Sequence, residues 1–155
     1  MKINEEVKNI KGKVTLDFYN TVTGIHEIIE VENVFTTAGK NSIASRLKGT
    51  TTNNEGIITY CALGTGSTAP TAADTDMEDE IERKEVSVRS VLNNVATFQT
   101  YFTTAEGNGT LREAGLFGNA ATDTADSGTM FCHTAINRTK TANDTLTLTW
   151  TVTIG

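Results

Sequence analysis

Thr145-Leu146-Thr147-Leu148-Thr149-Trp150-Thr151-Val152-Thr153-Ile154 alternates threonine with an apolar residue without a break. Successive strand side chains point to opposite faces, so the stretch predicts a strand with one face in a core and one in water. On a helix the same order would scatter the apolar groups around the axis, and β-branched threonine suits a pleated surface. The chain therefore reads first as an antiparallel sheet protein.

Working outward, Val14, Leu16 and Phe18 alternate with Thr15, Asp17 and Tyr19; turn residues Asn20 to Gly24 and the run Ile25 to Val34 complete a hairpin. Ile57 to Leu63 is apolar on both faces and reads as a central, doubly covered strand. Glu85 to Val91, Val95 to Thr103, Gly109 to Phe117 and Thr129 to Ala135 add strands, the first two joined at Asn93-Asn94. Ala38 to Lys48 predicts a helix with Ile43, Ala44 and Leu47 on one face, Thr36 or Thr37 as its cap and Gly49 as its stop. Thr75 to Arg83 predicts a second helical turn or two, with Asp74 or Thr75 and Glu78 as a capping box and Met77 above Ile81. The expected fold class is mainly all-β, an antiparallel β-sandwich or jelly-roll-like barrel with one or two short helices. Residues 1–34 read as an N-terminal hairpin or arm and residues 35–155 as the sandwich domain, together one compact domain.

With 155 residues, 37% hydrophobic and 21% charged, the chain can bury a core without staples. A net charge of -6 argues against nucleic acid as a partner, since a phosphate-backbone binder needs a basic stripe. No apolar run reaches the roughly 18 residues of a membrane span, and Met1 to Ile10 carries charges where a secretory signal has its apolar stretch. Synthesis in the cytoplasm and no membrane partner are the expectations. Cys61 and Cys132 fall inside predicted strands without zinc-site spacing, and read as buried reduced thiols, a cross-strand disulfide staying open.

Signals for chemistry are sparse. Gly64-Thr65-Gly66 follows a strand, but the third glycine of a dinucleotide loop is missing, and glycine there suits a sharp turn. Asp74, Asp76, Glu78, Asp79, Glu80 and Glu82 form a dense carboxylate run; Asp74, Asp76 and Glu78 are weak candidates for a hard cation, although EF-hand spacing is absent. A solvated helix start and an acidic contact for a neighbouring subunit, through Asp79 and Glu82, are the other readings of that run. Cys132 and His133 point to opposite faces of a strand and cannot form a local dyad. The charged pair Arg112 and Glu113 stands in an otherwise apolar strand. It reads either as a surface couple near a sheet edge, or as a partly buried pair that fixes register or meets a symmetry-related chain. No catalytic motif is recognisable, so the expectation is a non-enzymatic protein without a cofactor.

The order Ala62-Leu63-Gly64-Thr65-Gly66-Ser67-Thr68-Ala69-Pro70, then Asp74-Thr75 with an acidic turn ending in Arg83, then Leu111-Arg112-Glu113-Ala114-Gly115-Leu116-Phe117, Gly128-Thr129-Met130-Phe131 and Lys140-Thr141 before the threonine strand resembles small structural proteins of tailed bacteriophages, including tail-collar fibre attachment domains. Gly39 to Gly49 joins the resemblance, which spans roughly residues 35 to 155. It implies a non-enzymatic role in particle assembly: a capsid decoration or head-fibre-base protein on the virion, or else a tail-collar fibre, neck or baseplate attachment protein. It also implies a homotrimer whose partners are the major capsid protein or a tail or fibre protein. A carbohydrate-binding β-sandwich is the rival, and it needs Tyr19, Tyr60 and Tyr101 exposed together.

Overall fold

The computed structural model describes residues 10–49 and 55–155; the first nine residues of the N-terminal segment and most of the polar loop from Thr50 to Gly56 lie outside them. Nine strands follow one another, β1 (Lys11–Asn20), β2 (His26–Phe35), β3 (Ile58–Gly64), β4 (Glu80–Glu85), β5 (Val88–Leu92), β6 (Val95–Phe102), β7 (Gly109–Gly118), β8 (Thr129–Lys140) and β9 (Asp144–Thr153), with helix α1 (Thr37–Leu47) between β2 and β3. They form one antiparallel sheet in the order β4-β3-β7-β8-β2-β1-β9-β6-β5, curled into a half-barrel. The mainly all-β expectation holds.

The alternation in β9 does what its spacing dictates. Leu146, Leu148 and Trp150 are fully buried and Val152 nearly so, while the intervening threonines are half-exposed. Neighbouring strands keep the same phase: Val14, Leu16 and Phe18 of β1 stand opposite Trp150, Leu148 and Leu146, and Phe102 of β6 also faces Leu146. Each such valine, leucine or phenylalanine side chain contributes about 1.5–3 kcal/mol by leaving water.

β2 joins the two halves of the sheet. Most of its length pairs with β1, but Val34 and Phe35 pair with His133 and Cys132 of β8. The hairpin expected within residues 1–34 is thus β1–β2, and it occupies the middle of the sheet rather than standing off as an arm. The curl is visible where β4 gives way to β5, because these are the two edge strands and yet neighbours in sequence. Glu85 and Val88 are three Cα steps apart, at most about 11 Å, so the edges must lie that close. Val86 donates its N–H to Thr59 of β3 (2.8 Å) and Ser87 to Gln99 of β6 (2.9 Å). The single strand expected over Glu85 to Val91 is therefore broken by a change of sheet edge.

Thr36 caps α1, accepting the Gly39 N–H at 2.9 Å. The helix does not bury the expected face: Gly39 and Ser42 are buried, Ile43 is half-buried, and Leu47 is 84% exposed. The cause is close approach, since a Cβ on Gly39 would lie 2.8 Å from the Phe131 Cα. Gly49, at φ +94°, stops the helix as expected.

No second helix occurs among the described residues. The segment before β4 is a series of turns, and strand begins at Glu80 where helix was expected. Cys61 and Cys132 are free and buried. Each faces Leu116 from opposite sides in the ladder, so they stand two strand spacings apart, roughly 9.5 Å, beyond disulfide reach.

Candidate functional site

β7 and β3 are covered on both faces. Cys61, Leu63, Leu111, Ala114 and Leu116 join the main core, while Ala62, Phe117 and Met130 form a second, smaller cluster with Met77 from the 65–79 loop. The doubly covered character expected of Ile57 to Leu63 is present, although β3 lies next to an edge. The loops that cover this second face bring polar backbone with them, and that backbone needs partners.

Glu113 supplies them. Its carboxylate is 1% exposed; Oε1 accepts from the amides of Gly66 (3.1 Å) and Asp79 (2.8 Å), and Oε2 accepts from the amide of Glu78 (3.1 Å) and lies 2.9 Å from His133 Nε2. An isolated buried carboxylate is costly, and these four contacts compensate it. His133 is itself 3% exposed, and its Nδ1 lies 2.7 Å from Asp74 Oδ2. Both ring nitrogens face carboxylate oxygens, so His133 links Asp74 of the 65–79 loop to Glu113 of β7.

Glu113 also explains Gly64 and Gly66. Neither has positive φ; a Cβ on Gly64 would lie 2.6 Å, and on Gly66 2.4 Å, from Glu113 Oε1. The expected sharp turn is not the reason for glycine here. Close approach of backbone to an anion is, as in a phosphate loop, but the anion is the protein's own side chain.

A second ionic contact lies on the same side of the sheet. Arg83 makes a two-pronged contact with Glu80 (Nε to Oε1 2.5 Å, one terminal nitrogen to Oε2 2.7 Å), and both side chains are almost fully buried. The guanidinium lies 4.5 Å from the Phe117 ring centre and donates to Thr122 O, Ser127 O and Ser127 Oγ, holding the 119–128 loop. Buried Lys140 plays a similar part, donating to Thr103 O (2.8 Å) and Asn108 Oδ1 (2.9 Å). Burial pushes its ammonium below the ordinary lysine range, against Asp144 and Glu106.

No protein-family model matches the chain, and neither a curated protein nor a solved structure matches it.

The carboxylates singled out in the sequence have separate tasks. Asp74 accepts from the Thr71 amide and hydroxyl, Asp76 from the Thr75 hydroxyl, and Glu78 from the Thr68 amide at 2.7 Å. Burial works against ionised Asp74, but the Thr71 and His133 contacts outweigh it and hold its carboxyl below the usual range. Among the described residues no group of three or more such side chains is placed to hold a metal ion. Of the interface candidates, Asp79 is exposed and accepts from the Thr65 hydroxyl, and half-buried Glu82 accepts from the Gly107 amide at 3.4 Å. Arg112 is exposed and Glu113 buried, so they are not a surface couple, and β7 is an interior strand rather than an edge. Nor are they a partly buried pair, since Glu113 alone is buried and its partners are loop amides and His133.

His133 opens onto a shallow cavity of about 250 Å³ lined also by Thr68, Asp74, Asp76, Met77 and Glu78. The thiols face elsewhere: both belong to the main core, where burial pushes Cys61 up to about 12 and Cys132 higher still. Tyr19 and Tyr101, on β1 and β6, stand opposite Thr145 and Thr147 on the outward face of the β9 half, whereas Tyr60 lies in the other half beside Arg83. The three tyrosines do not make one platform. Sequence reasoning missed the buried hydrogen-bonding roles of His133 and Arg83; the available signal was a lone glutamate in an apolar strand together with a Gly-x-Gly pair.

Proposed function

We propose that this chain is a non-enzymatic structural component of a tailed-phage particle, an exterior capsid decoration or head-fibre-base protein that binds identical copies and the capsid lattice. A tail-collar fibre, neck or baseplate attachment protein is the same reading at a different place on the particle. The observation that carries it is what becomes of the residues behind the phage resemblance. Gly66, Asp74 and Glu113 are drawn into one hydrogen-bonded set that fastens the 65–79 loop to the sheet, with Gly64 packed against Glu113, and Arg83 into a separate one that fastens the 119–128 loop, so the pattern encodes an architecture.

A surface for self-contact supports the same reading. β4 and β5 each have one unpaired edge, and every residue of β5 is exposed, Val91 and Leu92 at 73% and 75%. Such edges are templates for another chain, and weak contacts suffice when many copies bind a lattice together. The net charge of -6 keeps unassembled copies apart until then.

Co-sedimentation of the purified protein with capsids, and separately with tails, from particles lacking it tests the reading, alongside its mass in solution. Saturable binding to capsids and a trimeric mass are expected. Binding to tails alone moves the protein to a fibre or baseplate, and binding to neither overturns the proposal.

A further inference from the structure

β2 lies between β8 and β1 in strand order, yet β8 pairs with it only at Val34 and Phe35. From His26 to Asn33 its pairing is with β1. Among the described residues, no strand therefore pairs with the β8-facing side of the seven residues from His26 to Glu32, a longer open edge than that of β4 (six residues) or β5 (five). The Glu32 carbonyl faces that side, where the Thr134 hydroxyl donates to it at 2.9 Å. Backbone groups alternate in direction along an antiparallel strand, so the N–H and C=O of Ile28 and Glu30 face the same open side. Ile29 and Val31 stand opposite buried Leu16 and Val14 and are half-buried against the core, while Ile28, opposite Asp17, is 64% exposed. Unpaired backbone flanked by apolar side chains is a template for another strand.

We propose that this edge of β2 pairs antiparallel with the same edge of a second copy, about a twofold axis at Ile29. Opposite residues of an antiparallel pair lie on one face, so in a twofold pair some residue must stand opposite its own counterpart. Charge selects which one. Centred on Glu30 or on Val31, the pair sets Glu30 against Glu30 or against Glu32, and like charges directly opposite are destabilising. Centred on Ile28, only His26 to Glu30 overlap.

Centred on Ile29, the whole stretch pairs: Ile29 meets Ile29, Ile28 meets Glu30, Val31 meets Glu27, and the His26 imidazole, held by Asp17 at 3.0 Å, meets the exposed Glu32 carboxylate. No carboxylate stands opposite another. Glu27 and Glu30 are moreover bridged within their own chain by Arg138 and Lys13, at 2.6 Å each. A pair this short is weak alone and gains from repetition. No capsid or tail enters the pairing, so loss of pairing and loss of particle binding are separate results.

Cysteine trapping on the full chain tests both the pairing and its register. In the central pair the two Ile29 Cα atoms come about 4.5 Å apart, within disulfide reach. Ile28 and its counterpart lie on a diagonal, roughly 8 Å apart and beyond that reach. Under mild oxidation Ile29→Cys is expected to give a covalent two-chain product, and Ile28→Cys, although more exposed, about tenfold less. Cys61 and Cys132 are buried and do not compete. Wild type should double its solution mass as concentration rises, whether the starting unit is one chain or a trimer. Ile28→Pro removes an N–H that faces only the open side, so the near-ultraviolet signal of Trp150 should persist and the doubling should vanish. Absence of the Ile29→Cys product, an Ile28→Cys product that equals it, or doubling that survives Ile28→Pro overturns the proposal.

Discussion

The half of the sheet built on β9 and the half built on β7 face the same problem, covering apolar strands, and meet it by different means. Around β9 one face packs and the other meets water, so alternation is sufficient. Around β7 both faces are covered, and the outer cover is made of loops rather than of another sheet. Loops carry backbone polar groups into the interior; Glu113 accepts from their N–H groups, Arg83 donates to their carbonyls, and His133 ties Glu113 to Asp74 of the loop. A sheet face covered by loops therefore depends on a few charged residues, whereas a face covered by side chains spreads its stability over many.

The sharpest way to break this contrast is Glu113→Ala. It strands the amides of Gly66, Glu78 and Asp79 and leaves His133 without one of its two partners. Losing one member of a buried charged network costs about 3–5 kcal/mol, so the urea midpoint should fall accordingly, and proteolysis should begin in the 65–79 loop. Leu148→Ala, in the centre of the other half, should cost about 3 kcal/mol through lost burial and a residual cavity. Its effect should be global unfolding without a preferred cleavage site. If both variants first open at the same place, the distinction between the halves fails.

The same contrast governs what could be read from the sequence. β9, β1 and the hairpin turn were legible because period-two burial is written in neighbouring residues. The 65–79 segment was misread because Asp74 and Glu78 look like local helix caps, while their actual setting is distant in sequence: His133 lies 59 residues from Asp74, and Glu113 lies 35 residues from the Glu78 amide it accepts. A local pattern has no access to such partners. The valine-bearing stretch from Glu85 to Val91 likewise conceals the step from one sheet edge to the other, which depends on how far the sheet curls. Of the site, the carboxylate run and the odd charge in β7 were visible, but their convergence was not.

Asp74→Asn probes the loop-covered half more gently. Because contacts from Thr71 and His133 hold the folded-state carboxyl below its ordinary value, Asp74 adds stability above about pH 3.9, its unfolded value, and loses it as pH falls through the lower folded value. Wild type should exceed the variant by about 1 kcal/mol at neutral pH, the net worth of a hydrogen bond or two. The gap should close on acidification below about pH 4, as followed by urea titration at several pH values. A gap independent of pH would mean that Asp74 acts through packing alone.

Thr147→Ala should have the smallest effect. The residue faces outward between Asp17 and Tyr101, is half-exposed, and belongs to the half where alternation alone sets the fold. A surface change of this kind stays within about 0.5 kcal/mol, and the small loss of β-propensity should set its direction as destabilising. The value of the variant lies in separating stability from association. An outward threonine that merely meets water can be replaced without changing the mass in solution or particle binding. If Thr147→Ala leaves the urea midpoint in place but weakens self-association or sedimentation with capsids, the threonine face becomes a contact surface, and the wet side of the simpler half holds the function that the buried charges of the other half do not.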